Sequence, residues 1–398
     1  MQKRIVIIGS NFAGYTAAMK LQEELKGEHA ITVISKSPDF LFMPSLIWVP
    51  FGLREREQIT IPLEPLYEKK GIRFVLETVD RIDLAQRTVH TEKGFYGYDY
   101  LVIATGPELA YDAIPGLGPI DGYTQSIFSW EHAERTQQAF EELLRDPGPV
   151  VIGAVQGASC FGAAYEFLFN TAHQLKKHKL LDKAPLTYVT AEPFLAHFGI
   201  GGFGNGTKMT DWFFRNLHIT AELDAEFQEI TPDEMLLTDG RRIPYKFAML
   251  APSFRGVKPV RELTEITNKG GFVKVGRDYA TEQYPEVYAA GVAVAMDPPD
   301  VTKVPCGVPK TGYLSEEMAK VVAHNIVADI TGGKKMELPP QYIDAKCVLD
   351  AGNTGIIMLA DHFLEPRQHA WLIPGPEAHW AKLAFEKYFM TTHRMGHV

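Results

Sequence analysis

Apolar positions along the first hundred residues follow two rhythms. Ile5-Val6-Ile7-Ile8 is a continuous β-branched run, the pattern of a strand buried on both faces. A glycine turn over residues 9–14 follows. Residues 15–25 then space their apolar side chains as a helix does, and residues 31–34 return as a short strand. This order predicts a parallel sheet with right-handed crossovers, an α/β fold. Residues 71–83 read as further strands, and residues 98–106 as a buried strand ending in a glycine turn.

The order then repeats. A Gly- and Pro-containing loop (residues 115–119) and a helix holding Glu131-His132-Ala133-Glu134-Arg135 lead into a second unit. There residues 149–153 read as a strand, 154–160 as a turn, 162–177 as a helix and 186–190 as a strand. Two copies about 150 residues apart predict two Rossmann-like dinucleotide-binding domains. The expected division gives the first domain residues 1–108 and 245–335, the second residues 109–244, and leaves residues 336–398 as a small C-terminal helical and strand region. Within that tail, residues 379–390 place Ala381, Ala384, Phe385 and Tyr388 on one helical face.

Composition narrows the function. With 40 basic and 49 acidic residues the net charge is −9, which argues against a nucleic-acid partner needing a basic face. No stretch approaches the length of a transmembrane helix, and the N-terminus runs straight into a strand rather than a signal peptide. A cytoplasmic or peripheral inner-membrane location is therefore expected. The three cysteines, Cys160, Cys306 and Cys347, are too few and too scattered for a disulfide scaffold or a metal site. By position alone each reads as a small buried hydrophobe.

Chemistry concentrates in the glycine turns. Gly9-Ser10-Asn11-Phe12-Ala13-Gly14 stands where a G-x-G-x-x-G fingerprint would. Gly9 permits the tight turn, Gly14 lets helix and strand approach, and the helix N-terminus offers N–H groups to a pyrophosphate. Asn11 replaces the middle glycine as the residue most tolerant of positive φ. In the second unit, Gly153-Ala154-Val155-Gln156-Gly157-Ala158 carries Val155 at the middle position, where its side chain crowds a pyrophosphate. Reduced nicotinamide is thus disfavoured. Cys160 then opens a helix, whose dipole is expected to lower the thiol's pKa.

Ala104-Thr105-Gly106 and Val287-Tyr288-Ala289-Ala290-Gly291 resemble the paired signatures of the FAD-dependent pyridine nucleotide–disulfide oxidoreductase superfamily. Residues 153–166, with Cys160 and Glu166, are similar to those of the sulfide:quinone oxidoreductases. The same holds for residues 192–199, residues 305–313 and residues 384–389, so the likeness runs from residue 4 to about residue 395. It implies an enzyme that oxidises sulfide to polysulfide or sulfur through a Cys160/Cys347 redox pair and non-covalent FAD, with quinone as acceptor.

By this resemblance FAD is held by Gly9, Asn11, Phe12, Ala13, Gly14, Ser35, Lys36, Ala104, Thr105, Gly106, Gly291, Val292, Pro309, Lys310 and Thr311. His132, Glu166 and His197 would move protons, and Lys310 would sit near the flavin's pyrimidine ring. Lys382 and Phe385 match the family's quinone-side helix, which also offers a peripheral membrane contact. A homo-oligomer is compatible with the sequence. This sequence departs from the pattern at Ser35 or Lys36 and at Val292, where acidic residues are usual. Phe128 stands where many members have a third cysteine, and Cys306 reads as an inert thiol beside the flavin.

The mechanism so implied is attack of HS⁻ on a Cys160–Cys347 bond, leaving a persulfide and a thiolate, with Cys347 nearer the flavin. Two rivals stand beside it: a flavocytochrome c-type sulfide dehydrogenase subunit with a cytochrome acceptor, and a type II NADH dehydrogenase. The first lacks its flavin-tethering cysteine in residues 40–44, and Val155 counts against the second. The ending at Val398, short of the amphipathic helices many members carry, favours a soluble acceptor. A non-catalytic flavin-binding sensor is the alternative of another class.

Overall fold

The computed structural model describes residues 1–398. Its first sheet has five parallel strands in the order Val287–Ala289, Tyr100–Ile103, Arg4–Ile8, Ala30–Ser35, Arg73–Leu76. Ile5, Ile7, Leu101, Val102 and Val33 are wholly buried, as covered sheet faces require. Helices Phe12–Leu25 and Gly312–Thr331 pack along each other beside this sheet.

The second sheet is also parallel, ordered Thr220–Glu222, Leu186–Thr190, Val150–Ala154, Phe247–Ala251. Strand Phe247–Ala251 corrects the expected boundary at residue 245. It pairs with Val150–Ala154, so the chain leaves the second domain only after completing that sheet. The crossing is a short antiparallel ladder between Pro107–Leu109 and Phe254–Gly256, where outgoing and returning strands meet.

The C-terminal region is an antiparallel sheet, Ala345–Asp350, Gly355–Ala360 and Ala370–Gly375, followed by helix Pro376–Arg394. One core of 95 buried residues runs through both parallel sheets and into this region, so the parts pack as one body. No helix is long and apolar enough to cross a membrane.

Candidate active site

The first dinucleotide cradle lies at the carboxyl ends of strands Arg4–Ile8, Tyr100–Ile103 and Val287–Ala289. A Cβ on Gly9 (φ +101°) would lie 2.2 Å from the Ala104 carbonyl oxygen, and one on Gly14 2.0 Å from that of Gly9. Gly291 (φ +71°) packs against Ala13 and Ser315, and Phe12 closes on Gly312. The N-termini of helices Phe12–Leu25 and Gly312–Thr331 thus meet beside one cleft, the second capped by the Thr311 hydroxyl. Such N-termini suit a pyrophosphate.

Asn11 occupies the N-cap with φ −93°, so a positive φ is not what retains it there. Its side-chain oxygen is buried and bonded to nothing in the protein. An orphaned polar atom in a glycine-tight cradle fits a bound dinucleotide. Ser35 takes no free part, because its hydroxyl accepts from Ser10 at 2.7 Å and bonds the Ser37 backbone. Lys36 at the same strand end is exposed. Thr105 and Gly106 (φ +68°) close the turn after Tyr100–Ile103. Lys310 donates to the carbonyls of Val292 and Val294, at 3.0 and 2.8 Å, and lies 3.3 Å above the Phe272 ring. Burial lowers it to about 7. Its contacts therefore brace the turn at Gly291 and Val292, and Pro309 leads into it.

The second cradle is filled by the chain itself. The Gly157 N–H donates to the Pro305 carbonyl and the Gly307 N–H to that of Ala158. The Gln156 amide makes both of its bonds to the Phe227 backbone, and Val155 is buried. Glu192, after the second strand where a ribose partner would stand, is wholly buried. It accepts from Tyr165, Tyr188, Thr190 and the Phe198 N–H. Burial lifts its carboxyl to about 7 against those four donors.

Cys160 is the N-cap of helix Phe161–Lys177, and Cys347 lies on strand Ala345–Asp350. Both are free thiols, as is Cys306. The expected lowering at Cys160 does not occur: burial raises the thiol to about 12, since desolvation of a thiolate outweighs a helix end it only caps. Cys347 is exposed. Burial and then the Glu166 carboxylate raise it to about 11, against Lys382 and the Val348 N–H.

Glu166 bolts the two elements together. Its Oε1 accepts from the Asp350 N–H at 2.7 Å and from the Lys382 ammonium, and Asn170 one turn on donates to the Asp350 carbonyl at 2.9 Å. Lys382, expected on the quinone side, is buried in this pair, 5.1 Å from the Trp48 ring centroid. Burial first raises the Glu166 pKa, and Lys382 opposes it. Asp350 is buried too, bonded to Trp48 Nε1 at 2.9 Å and His379 Nδ1 at 2.6 Å. Phe385 does face outward, 49% exposed, with its ring 6.0 Å from Phe42.

Both histidines are hydrogen-bonded within the protein. His197 is wholly buried; its Nδ1 accepts from the Gly199 N–H and its Nε2 donates to Asp300 at 2.9 Å. His132, half-buried, has Nδ1 3.2 Å from Ser126 Oγ, which also takes the Tyr111 hydroxyl at 2.5 Å. Burial lowers its pKa. Phe128 packs edge-on against Phe254. Sequence reasoning missed Glu192, Asp350 and His379. The available signal was a lone acid inside or just beyond an apolar strand, as in Val348-Leu349-Asp350.

Two parallel dinucleotide-type sheets, one cradle open and one filled, with the helix of Cys160 and the strand of Cys347 joined through Glu166 and Asn170, define a flavoprotein of the two-domain disulfide-oxidoreductase class. Residues 3–309 match the pyridine nucleotide-disulphide oxidoreductase family. The sulfide-quinone reductase of Aquifex aeolicus is 38% identical over 405 residues, covering 100% of this chain and 93% of that protein. The chain belongs to the sulfide:quinone oxidoreductases, a family of flavin-dependent enzymes. The solved structure of the Aquifex aeolicus sulfide:quinone oxidoreductase superposes with a TM-score of 0.95 at 38% identity, over 99% of this chain and 92% of that one. A type II NADH:quinone oxidoreductase of Mycobacterium tuberculosis is 26% identical over 372 residues, covering 86% of this chain and 76% of that protein.

Proposed function

We propose that this chain oxidises sulfide through Cys160 and Cys347 and passes the electrons to a quinone, with FAD bound non-covalently in the cradle at residues 9–14. The observation that carries this reading is the Glu166 bolt between the helix of Cys160 and the strand of Cys347, beside a second cradle closed by its own chain. FAD supplies a two-electron acceptor, and residues 40–44 offer no cysteine to tether it.

At about 12 and 11 both thiols stay protonated at neutral pH, so neither is the first nucleophile. Sulfide, partly HS⁻, supplies that role, and the cysteines act as an oxidised pair. HS⁻ forms a bond to one sulfur as the Cys160–Cys347 bond breaks. The incoming sulfur is oxidised by two electrons, and the other cysteine leaves as thiolate. The better-stabilised thiolate leaves faster. At Cys347 the Glu166 carboxylate opposes a thiolate while Lys382 and the Val348 N–H favour it, whereas Cys160 has burial alone. With Cys347 the flavin-side sulfur, as the family resemblance implies, attack falls on Cys160 and Cys347 holds the electron pair to be passed on. Glu166 and Lys382, buried beside Cys347, hold the proton balance there.

Phe385 is the quinone-side contact. Trp380 and Tyr388, each 68% exposed on the last helix, form the outer edge of an interfacial membrane contact. Closure of the second cradle sets the reading against an NADH-dependent one. Sulfide added to the anaerobic protein should bleach flavin absorbance near 450 nm, and quinone should restore it. A Cys160→Ser variant that binds FAD and still bleaches with sulfide would overturn the mechanism, and bleaching by NADH would overturn the substrate.

A further inference from the structure

Away from the cysteines, a cleft of about 300 Å³ opens between the second half of helix Phe161–Lys177, the turn at residues 48–54 and the first turns of the last helix. Its polar wall is a single helical stripe of Asn170, His173, Gln174 and Lys177, faced by Arg54 and His379. No carboxylate lines it, in a protein of net charge −9. Arg54 and His379 are partly neutralised from behind, by Glu386 at 2.9 Å and Asp350 at 2.6 Å. Lys177 forms no ion pair, and the exposed Lys176, His178 and Lys179 extend the basic rim. Asn170 is wholly buried and donates to the carbonyls of Glu166 and Asp350, but its Oδ1 has no partner in the protein.

We propose that this cleft is a binding site for a phosphate group, its oxyanions on Lys177, His173 and Arg54. A tetrahedral phosphate presents oxygens to both walls at once, whereas a planar carboxylate reaches one. Trp48, Leu53 and Leu383 give the remaining lining an apolar side. The same chemistry is offered by a protonated inorganic phosphate and by the glycerol phosphate headgroup of an acidic phospholipid.

The test uses the full-length flavin-loaded protein. Calorimetry with inorganic phosphate at constant ionic strength is paired with cosedimentation on phosphatidylcholine vesicles, with and without phosphatidylglycerol. Saturable phosphate binding, weakened at least tenfold in a Lys177→Gln/His173→Gln variant and unchanged in Lys269→Gln outside the cleft, assigns the site to the free anion. Phosphatidylglycerol-dependent vesicle binding with the same variant pattern, without phosphate saturation, assigns it to the headgroup. Binding of neither probe, or equal binding by the cleft variant, overturns the proposal. Lys177 is exposed and His173 partly so, and retained flavin absorbance verifies that the double variant folds.

Discussion

Glu166 and Lys382 lie 216 residues apart in the chain and form an ion pair buried between the second dinucleotide domain and the last helix. A buried pair of this kind adds modest net stability, but removal of one partner strands a charge. Lys382→Met should therefore cost about 3–5 kcal/mol in urea unfolding, and Lys382→Met/Glu166→Gln should recover part of it. Since Lys382 lowers the Cys347 thiol, alkylation of Cys347 by iodoacetamide should also slow in Lys382→Met. An unchanged rate in a folded variant would separate Lys382 from Cys347.

Glu192 links stability to pH. Its carboxyl titrates at about 7 in the fold against 4.5 in the unfolded chain. The folded state holds the proton more tightly, so the contribution is full below pH 4.5 and is lost as pH rises through 7. The span corresponds to about 3 kcal/mol. Glu192→Gln, which mimics the protonated acid, should gain on the parent protein between pH 5 and 8 in thermal melts. Parallel melting curves across that range would refute the titration.

Gly9→Ala and Gly14→Ala each drive a methyl group to about 2 Å from a backbone oxygen. Neither oxygen belongs to a flexible side chain, so the turn itself must move. Both variants should be purified with little flavin, read from the 450 to 280 nm absorbance ratio. Near-stoichiometric flavin in either would place the cofactor elsewhere.

Phe385→Ala removes an outward ring that the core does not need. Folding should be unaffected and sulfide-driven bleaching unchanged, while the KM for a soluble quinone rises several-fold. A fall in the bleaching rate instead would assign Phe385 to the sulfide half-reaction.

Trp380→Ser/Tyr388→Ser should reduce cosedimentation with phosphatidylcholine vesicles without altering turnover of a soluble quinone. Interfacial binding scales with buried apolar area, and these rings supply much of it on the last helix. Equal cosedimentation would move the membrane contact elsewhere.

The open cradle was legible because its requirements are local. Gly9, Gly106 and Gly291 sit at turns with positive φ, and Gly14, in the first turn of its helix, leaves no room for a Cβ; these positions follow apolar strands whose period is visible in the residues themselves. The strand at residues 247–251 was misplaced because a buried strand carries no mark of which sheet it joins. The Asn11 reading erred for a related reason: residue type bounds φ but does not set it.

The sequence by itself therefore determined the two dinucleotide folds, the closed second fingerprint and the cysteines worth watching, since strand period, turn glycines and motif order are encoded within a few residues. Only the tertiary structure decided that Lys382 turns inward to Glu166, that Lys310 braces a backbone turn, that Gln156 and residues 305–307 fill the second cradle, and that the Cys160 and Cys347 thiols are raised. Each depends on which distant groups crowd an atom and exclude water from it, and desolvation is a property of packing that no local pattern of residues contains.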